Sequence, residues 1–366
     1  MKRRDSLKKI LSQSQLYWDR DQTPKRVRDS WRNVLLCGSQ AMGAEVYGSE
    51  NEERVVEHPC KDRGCPSCGT RATLQWQRER WAALPDIPYK GITFTMPDVL
   101  WPLFRDNHRL LKALPVLAAN ALRAEALGKH SIQIGVIAIL HTFNGKLGFN
   151  PHVHTMVTAG GLQRSGKWIP CVYYDQDRVT EHWRKSVIQL LRAALRTGML
   201  QSEKTVDQVE AHLAHEENRW WNIKIKTLGS KEQFLRYAGR YARRPPIAQR
   251  RITHIDEDNV TFWYRDKKLH RQVEVKYTLE QFIDLWAQHI PERYQHAVRN
   301  FGILAPRAVS GTTEAVFLIL GQRRRPRPKP RPWAISIMRD FGWDPLLDRM
   351  GKRMKWVRRL APTTPR

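Results

Sequence analysis

The stretch Gly148-Phe149-Asn150-Pro151-His152-Val153-His154-Thr155-Met156-Val157 carries two histidines separated by one β-branched residue. Its apolar residues alternate, and side chains along a strand repeat with a period of two, so we expect His152 and His154 on the same face of a strand. Two imidazoles side by side on a rigid strand supply half of a metal site. Because isolated His-x-His pairs also occur among ordinary surface and core histidines, the neighbouring sequence has to decide between these interpretations.

The run before this stretch predicts a partner strand. Residues 131–143 are largely apolar and contain His141 near their end, and the Asn144-Gly145 turn region joins them to residues 152–159. An Asn-Gly turn between two strand-like runs favours an antiparallel pair. His141 can meet His152 and His154 only if these two strands pair.

The composition indicates a partner of opposite charge. The chain has 366 residues, with 63 Lys and Arg against 36 Asp and Glu and a formal charge of +27. Such an excess repels itself unless it meets a polyanion, and phosphate backbones are the usual one. The sequence shows no apolar run that could span a bilayer and no signal-peptide core, so we expect a cytoplasmic protein with no membrane partner.

Clustered cysteines in the N-terminal part predict a metal centre. Cys65-x-x-Cys68-Gly is a knuckle pattern, in which the glycine permits the tight turn around a bound thiolate, and Cys60 lies five residues before Cys65. Either Cys37 or His58 could supply the fourth ligand. Structural Zn²⁺ is favoured over a set of reduced structural or redox cysteines, because three or four possible ligands are clustered and no thioredoxin-like βαβ pattern is nearby.

A basic helix with two tyrosines is predicted from Lys231 to Arg244, where Pro245-Pro246 ends it. Tyr237 and Tyr241 stand at i and i+4 and therefore share one face. Aromatic residues at this spacing usually pack in a core, but arginines surround this pair. We assign DNA binding to the following arginines in and after the helix: Arg236, Arg240, Arg243, Arg244, Arg250 and Arg251.

The C-terminal part is rich in arginine and proline. Past Gln322 the sequence reads Arg-Arg-Arg-Pro-Arg-Pro-Lys-Pro-Arg-Pro, which predicts a stiff basic linker. We expect an electrostatic arm that binds DNA through Arg323, Arg324 and Arg325, with one short helix near Pro345–Val357.

One glycine-rich segment, 161–168, nearly matches a phosphate-binding loop. Trp168 occupies the position that needs a Ser or Thr for magnesium, and no helix start follows. We interpret the segment as a hairpin loop and expect no nucleotide cofactor.

Histidines and tyrosines together point to phosphodiester chemistry. A tyrosine phenol, whose ordinary pKa is about 10, becomes a useful nucleophile when cations lower that pKa and polarise the phosphate. A divalent metal held by His141, His152 and His154 could grip the non-bridging oxygens of the scissile phosphate. Attack by Tyr237 or Tyr241 would leave a phosphotyrosine that keeps the bond energy, so another 3′-hydroxyl can reverse the step and join strands.

Several ordered motifs resemble one family, the two-tyrosine HUH rolling-circle transposases of insertion-sequence type with an N-terminal zinc-binding domain. The cysteine knuckle matches that group, and so do these segments: Leu140-His141-Thr142-Phe143, Asn150-Pro151-His152-Val153-His154, Gly160-Gly161-Leu162, Tyr237-Ala238-Gly239-Arg240-Tyr241 and Arg299-Asn300-Phe301-Gly302-Ile303-Leu304.

The resemblance implies a transposase that nicks and rejoins single-stranded or hairpin DNA at transposon ends through 5′-phosphotyrosine intermediates. It implies catalytic Mg²⁺ or Mn²⁺ on His152 and His154, with His141 as third ligand by analogy with three-histidine relaxases. It further implies Tyr237 and Tyr241 as nucleophiles, structural Zn²⁺, and a bacterial protein associated with the nucleoid.

The expected fold class is α+β, with an antiparallel HUH-nuclease sheet that carries helices on one face. We place the N-terminal basic helix and zinc-binding module at residues 1–85, the two-tyrosine catalytic domain at 86–310 and the basic tail at 311–366. Two alternatives stay open at this point. One is a plasmid replication initiator or relaxase with the same chemistry, and the other is a non-catalytic zinc-dependent DNA-binding protein whose histidines and tyrosines are structural.

Overall fold

A computed structural model describes residues 5–18, 22–266 and 268–363 of the chain. The helices, numbered in chain order, are α1 (Ser6–Ser12), α2 (Gln15–Trp18), α3 (Lys25–Leu36), α4 (Pro66–Ala83), α5 (Trp101–Arg105), α6 (Leu114–His130), α7 (Gln176–Arg196), α8 (Val206–Glu217), α9 (Lys231–Ala238), α10 (Leu279–Ala287), α11 (Glu314–Ile319) and α12 (Trp333–Phe341). The strands are β1 (Ala44–Gly48), β2 (Glu53–Glu57), β3 (Tyr89–Phe94), β4 (Ile132–Gln133), β5 (Gly135–Phe143), β6 (Phe149–Thr158), β7 (Gly161–Gln163), β8 (Trp168–Ile169), β9 (Ile223–Leu228), β10 (Ile252–Ile255), β11 (Asn259–Arg265), β12 (Gln272–Thr278), β13 (Val298–Gly302) and β14 (Lys355–Leu360). Short 3₁₀ segments lie at Gln40–Met42, Asp98–Leu100, His108–Lys112, Gln249–Arg251 and Pro306–Ala308, and a π-helical turn at Val309–Thr313.

The central sheet has the strand order β13-β5-β6-β3-β9, and all neighbours are antiparallel. β5 and β6 form the predicted hairpin, in which His141 is paired with His152. The Asn144 side chain closes the turn, because its Oδ1 accepts hydrogen bonds from the backbone N–H groups of Lys146 and Gly148 at 2.8 and 3.0 Å. The prediction of an antiparallel sheet is confirmed.

The two faces of this sheet carry different layers. The long helices α6 and α7 pack on one face through a core that includes Phe94, Val153 and Trp183. The opposite face takes α9, braced by α4, and buries Ile139 and Met156. β5 is buried from Gly135 to His141, as expected of a continuous apolar run that is covered on both sides. In the part of the chain that the structure describes, no helix is long and apolar enough to cross a membrane.

A second core joins the N-terminal helices to elements that follow the two tyrosines. Leu7 and Trp18 pack there with Phe262 of β11 and with Phe282 and Trp286 of α10, and all five are buried. The sheet in this core has the antiparallel order β10-β11-β12. The N-terminal helices are therefore fixed against a distant part of the sequence.

The basic tail folds back onto the N-terminal part. β14 pairs antiparallel with β1 and completes a sheet of order β14-β1-β2. The tail helix is α12, which ends at Gly342, where a left-handed glycine provides the C-cap. The expected helix near Pro345–Val357 is wrong, because that segment forms turns and the start of β14.

Candidate active site and zinc centre

Three histidines converge on one face of the central sheet. His141 and His152 are cross-strand partners on β5 and β6, and His154 follows on the same face of β6. Each offers a ring nitrogen, and these three atoms lie within 4.8 Å of one another. His141 and His154 are 8% and 6% exposed, so the cluster is sunk into the protein.

Backbone carbonyls orient two of these rings. Nδ1 of His152 donates to the Asn150 carbonyl at 2.7 Å, and Nε2 of His141 donates to the Tyr241 carbonyl at 3.0 Å. A carbonyl can only accept, so each contact leaves the lone pair on the other ring nitrogen, as in many metal-binding histidines. Burial, reinforced by the neighbouring His152, lowers the pKa of His141 to about 3. The ring is therefore neutral near pH 7, which is the form that binds a metal.

Both tyrosines face the histidines. α9 is capped by Ser230, whose side chain accepts from Gln233 N, and brings Tyr237 over β3. The Tyr237 hydroxyl lies 3.4 Å from His154 Nδ1 and 3.4 Å from Thr93 Oγ1. The Tyr241 ring stacks on the His154 ring, with centroids 3.6 Å apart. The structure thus brings the five predicted residues together: Tyr237, Tyr241, His141, His152 and His154.

Two local expectations about the tyrosines differ from the structure. The helix ends at Ala238 rather than Arg244, and Tyr241 lies in the turns that follow, where its N–H donates to the Ala238 carbonyl at 2.9 Å. The expected lowering of the tyrosine pKa is also not seen at Tyr241. Burial, followed by the neighbouring Tyr237, raises the pKa of Tyr241 to about 12, which outweighs the opposite effect of Arg240.

The predicted arginines take different positions. The side chains of Arg236, Arg240, Arg243, Arg244 and Arg250 are exposed, and so is that of Arg323 in the tail. Arg251 is half-buried and donates to the Trp263 carbonyl at 2.8 Å. Arg324 and Arg325 approach Glu314 and Asp86 at 4.0 and 3.7 Å, which ties the start of the tail to the body.

Four cysteines form a separate cluster at the start of α4. Sulfur–sulfur distances are 3.7 Å for Cys37–Cys68 and 3.6 Å for Cys60–Cys68 and Cys37–Cys65. Tetrahedral zinc with Zn–S bonds of about 2.3 Å requires sulfur atoms about 3.8 Å apart, so the arrangement fits Zn²⁺. Backbone N–H groups of Lys61 and Asp62 point at the sulfurs of Cys68 and Cys60 at 3.2 and 3.4 Å.

The fourth member of this cluster is Cys37. His58, the alternative, lies outside the group and pairs with Glu45 at 3.2 Å. The fifth cysteine, Cys171, is exposed and also lies outside the group.

Helix α4, which begins at the cysteine cluster, supports helix α9 and the turns that follow it. Thr73 of α4 donates to the Ala242 carbonyl at 2.8 Å, and Gln77 donates to the Leu235 carbonyl at 2.9 Å. Gly69 allows close approach, since a Cβ there would meet Pro245 Cδ at 2.6 Å. These contacts, and that of Thr93, were not predicted, because no local pattern marks a residue whose partner lies more than a hundred positions away.

Comparisons with known proteins agree on one family. A family model described as "Putative transposase" matches residues 135–311, and one described as "Transposase zinc-binding domain" matches residues 9–96. The chain is 32% identical over 290 residues to the transposase for insertion sequence element IS801 of Pseudomonas savastanoi pv. phaseolicola, covering 75% of this chain and 69% of that protein. It is 29% identical to "Putative transposase y4qJ" of Sinorhizobium fredii (strain NBRC 101917 / NGR234), covering 75% and 73%. No solved structure matches the chain significantly.

Proposed function

The chain belongs to the transposase family that includes the IS801 transposase, and from that premise we propose that it cuts and rejoins single-stranded DNA through two tyrosines. As a member of this family, the chain has DNA as its partner. Because the family's zinc-binding domain covers the four-cysteine cluster, that cluster is its structural zinc site. One observation carries the proposal: both tyrosines lie against the histidine cluster, with the Tyr237 hydroxyl 3.4 Å from His154 Nδ1.

The histidine cluster fits a divalent metal. Its three ring nitrogens lie within 4.8 Å of one another, and the neutral state of His141 leaves a lone pair available. The three imidazoles do not choose between Mg²⁺ and Mn²⁺, since both also favour oxygen ligands, which a phosphate and water would add. A metal ion bound there would supply Lewis-acid stabilisation to the scissile phosphate.

The protein's own residues would perform the transfer. The phenol oxygen of Tyr237 or Tyr241 attacks phosphorus, which forms a Tyr–O–P bond and breaks the bond to the 3′-oxygen. The phenol loses its proton and the departing 3′-oxygen takes one up, so the charge balances. For Tyr237, Thr93 Oγ1 and His154 Nδ1 are the groups in hydrogen-bond range of that proton.

The product is a 5′-phosphotyrosine, and a second 3′-hydroxyl can reverse the step. Because the phosphodiester energy stays in the adduct, rejoining needs no nucleotide. The tyrosine ring centroids lie 5.1 Å apart, so two adducts can form in turn at one place and exchange one strand for another. The substrate is single-stranded or hairpin DNA from the ends of the element.

The experiment is a denaturing gel for a covalent protein–DNA adduct. The protein is incubated with Mn²⁺ and labelled single-stranded DNA from the ends of its own element. We expect an adduct that is lost in Tyr237→Phe/Tyr241→Phe and in His152→Ala. The matched control is Tyr173→Phe, which removes a hydroxyl from a 64% exposed tyrosine and should leave the adduct unchanged.

Single variants separate the two tyrosines. If both are competent, Tyr237→Phe and Tyr241→Phe each retain one labelled product. Tight DNA binding without any adduct, at every metal tested, would contradict the proposal and favour a non-catalytic binding protein.

A further inference from the structure

A small cleft of about 40 Å³ lies beside the histidine cluster. His141 and Tyr241 line this cleft, together with Arg63, His108, Arg244 and His289. None of the described residues that line the cleft is acidic. The cleft lies next to a candidate metal ligand and a candidate nucleophile. A phosphate bound in it would therefore lie close to the phosphate that is cut.

Arg63 reaches this cleft from the zinc loop, between Cys60 and Cys65. The loop is pressed against α10 at Gly64, where a Cβ would meet Trp286 Cζ2 at 2.8 Å and Ile290 Cδ1 at 2.9 Å. The zinc cluster on one side and this glycine contact on the other fix the backbone that carries Arg63.

Among the described residues, the Arg63 guanidinium forms no ion pair, although the charge of the neighbouring Asp62 acts on it. The neighbouring Asp62 accepts hydrogen bonds instead from Ser30 Oγ at 2.6 Å, Gly64 N at 2.8 Å and Asn33 Nδ2 at 3.2 Å. Among the residues that the structure describes, no hydrogen bond or ion pair involves the Arg63 side chain. A half-buried guanidinium that no anion hydrogen-bonds is costly, so this position favours a bound anion.

His108 adds a neutral group with an unsatisfied atom. The residue is 8% exposed, and its Nδ1 has no hydrogen-bond partner among the described residues. His289 is different, because both of its ring nitrogens have partners. Its Nδ1 lies 3.1 Å from Thr142 Oγ1, and its Nε2 donates to the Leu147 carbonyl at 2.7 Å. The cleft therefore offers one unpaired guanidinium, one unpaired imidazole nitrogen and the exposed cation Arg244.

We propose that Arg63 binds a backbone phosphate of the DNA strand, adjacent to the phosphate that is cut, with Arg244 and His108 beside it. This inference rests on the proposed function, because it takes the histidine cluster as the place of cutting. A guanidinium forms two parallel N–H···O bonds to a phosphate, which fixes position as well as charge. The zinc loop would then be part of the DNA-binding wall of the active site as well as a structural element.

The test is a methylphosphonate scan of DNA binding. Single-stranded oligonucleotides from the element's end carry one uncharged methylphosphonate linkage at a time, and the dissociation constant of the full-length zinc protein is measured by fluorescence anisotropy. For the unsubstituted protein we expect about a tenfold loss of affinity when the methylphosphonate stands at one linkage next to the cut. Arg63→Gln should weaken binding of unmodified DNA about tenfold and show no further loss at that linkage.

The matched control is Lys61→Gln, which removes a charge from an exposed side chain of the same loop. This variant should keep the full loss of affinity at the linkage where Arg63→Gln shows no further loss. An Arg63→Gln variant with the same penalties as the natural protein at every linkage would overturn the inference.

Zinc content is measured for each variant, because Arg63 lies between two zinc ligands. If Arg63→Gln loses zinc, Arg63→Lys carries the test, since it keeps the charge but loses the two-nitrogen fork. Its penalty at the critical linkage should fall between the penalty of about tenfold in the natural protein and the absence of a penalty expected when the cation at position 63 is removed, and an unchanged penalty counts against Arg63. The scan is run without added Mg²⁺ or Mn²⁺, so it reports on Arg63 even where no adduct forms. A missing adduct would contradict the proposed function alone.

Discussion

The Thr93 hydroxyl helps to orient His154. Thr93 Oγ1 lies 3.1 Å from His154 Nδ1 and 3.4 Å from the Tyr237 hydroxyl. Thr93 sits opposite His154 in the register of β3 and β6, so the sheet itself places this contact. The hydroxyl therefore links a candidate metal ligand to a candidate nucleophile.

Replacing Thr93 by valine keeps the shape and removes this link. Partners that orient metal-binding histidines typically contribute about ten- to a hundredfold to metal affinity or activity. We expect Thr93→Val to weaken Mn²⁺ binding and slow adduct formation by a factor in that range, as measured by metal titration and gel assay. Thr253→Val, on β10 away from the site, is the control, and equal behaviour of the two variants would argue against a role for Thr93.

The zinc ligands can be tested residue by residue. The structure places Cys37 in the cluster and pairs His58 with Glu45. We expect one zinc per cysteine cluster in the natural protein, loss of that zinc in Cys37→Ser and its retention in His58→Ala. Elemental analysis of the purified variants measures this. Retention in Cys37→Ser together with loss in His58→Ala would reverse the assignment.

At the scale of secondary-structure elements, α4 connects the zinc cluster to the tyrosines. It begins next to Cys65, which is its N-cap, and it contacts α9 and the turns that follow through Thr73 and Gln77. The tyrosine segment is short and ends in irregular turns, so it needs such support. Zinc binding is expected to hold the tyrosines in place through this helix.

Thr73→Val tests that support. The substitution leaves the Ala242 carbonyl without the buried hydroxyl that donates to it at 2.8 Å. An unsatisfied buried polar group costs about 1–3 kcal/mol, so the free energy of unfolding from urea denaturation should fall by that amount. Thr70→Val on the same helix, at an exposed position, is the control and should change it little. A Thr73→Val protein as stable as this control would show that the brace is unimportant.

The fold and the site differ in how far sequence could predict them. The period of a strand places His152 and His154 on one face, and clustered cysteines mark a metal site, because both signals are local. The end of α9 at Ala238 was missed because the helical spacing of Tyr237 and Tyr241 also suits a helix followed by tight turns. The pairing of β14 with β1 was missed because the tail is strongly basic, and composition gives no sign of a partner strand about 300 residues away.

At the scale of the whole molecule, the tyrosine segment and the basic tail have different places on the fold. The arginines near the tyrosines lie on the face opposite the α6 and α7 layer, and the tail begins beside Asp86 and Trp81 and returns to β1. The tail of this chain, whose net charge is +27, therefore packs on the N-terminal part instead of extending away from it.

The salt dependence of binding measures the contribution of the tail. Each phosphate contact with single-stranded DNA contributes about 0.7 to the slope of log affinity against log salt concentration. Replacing Arg323, Arg324 and Arg325 by glutamine should reduce that slope by about 2. The control replaces three cations of the helical layer, Arg123, Lys185 and Arg196, and should leave the slope unchanged. Equal slopes for the two triple variants would contradict a DNA-binding role for the tail.

The most direct test of the central claim is to locate the covalent bond by mass spectrometry of the trypsin-digested adduct. Cleavage after Arg236, Arg240 and Arg243 places Tyr237 and Tyr241 on separate peptides, 237–240 and 241–243. We predict a 5′-linked nucleotide on one or both of these peptides, and only when divalent metal is present. A nucleotide on any other peptide, or a strand cut with no nucleotide attached to the protein, would contradict the two-tyrosine mechanism.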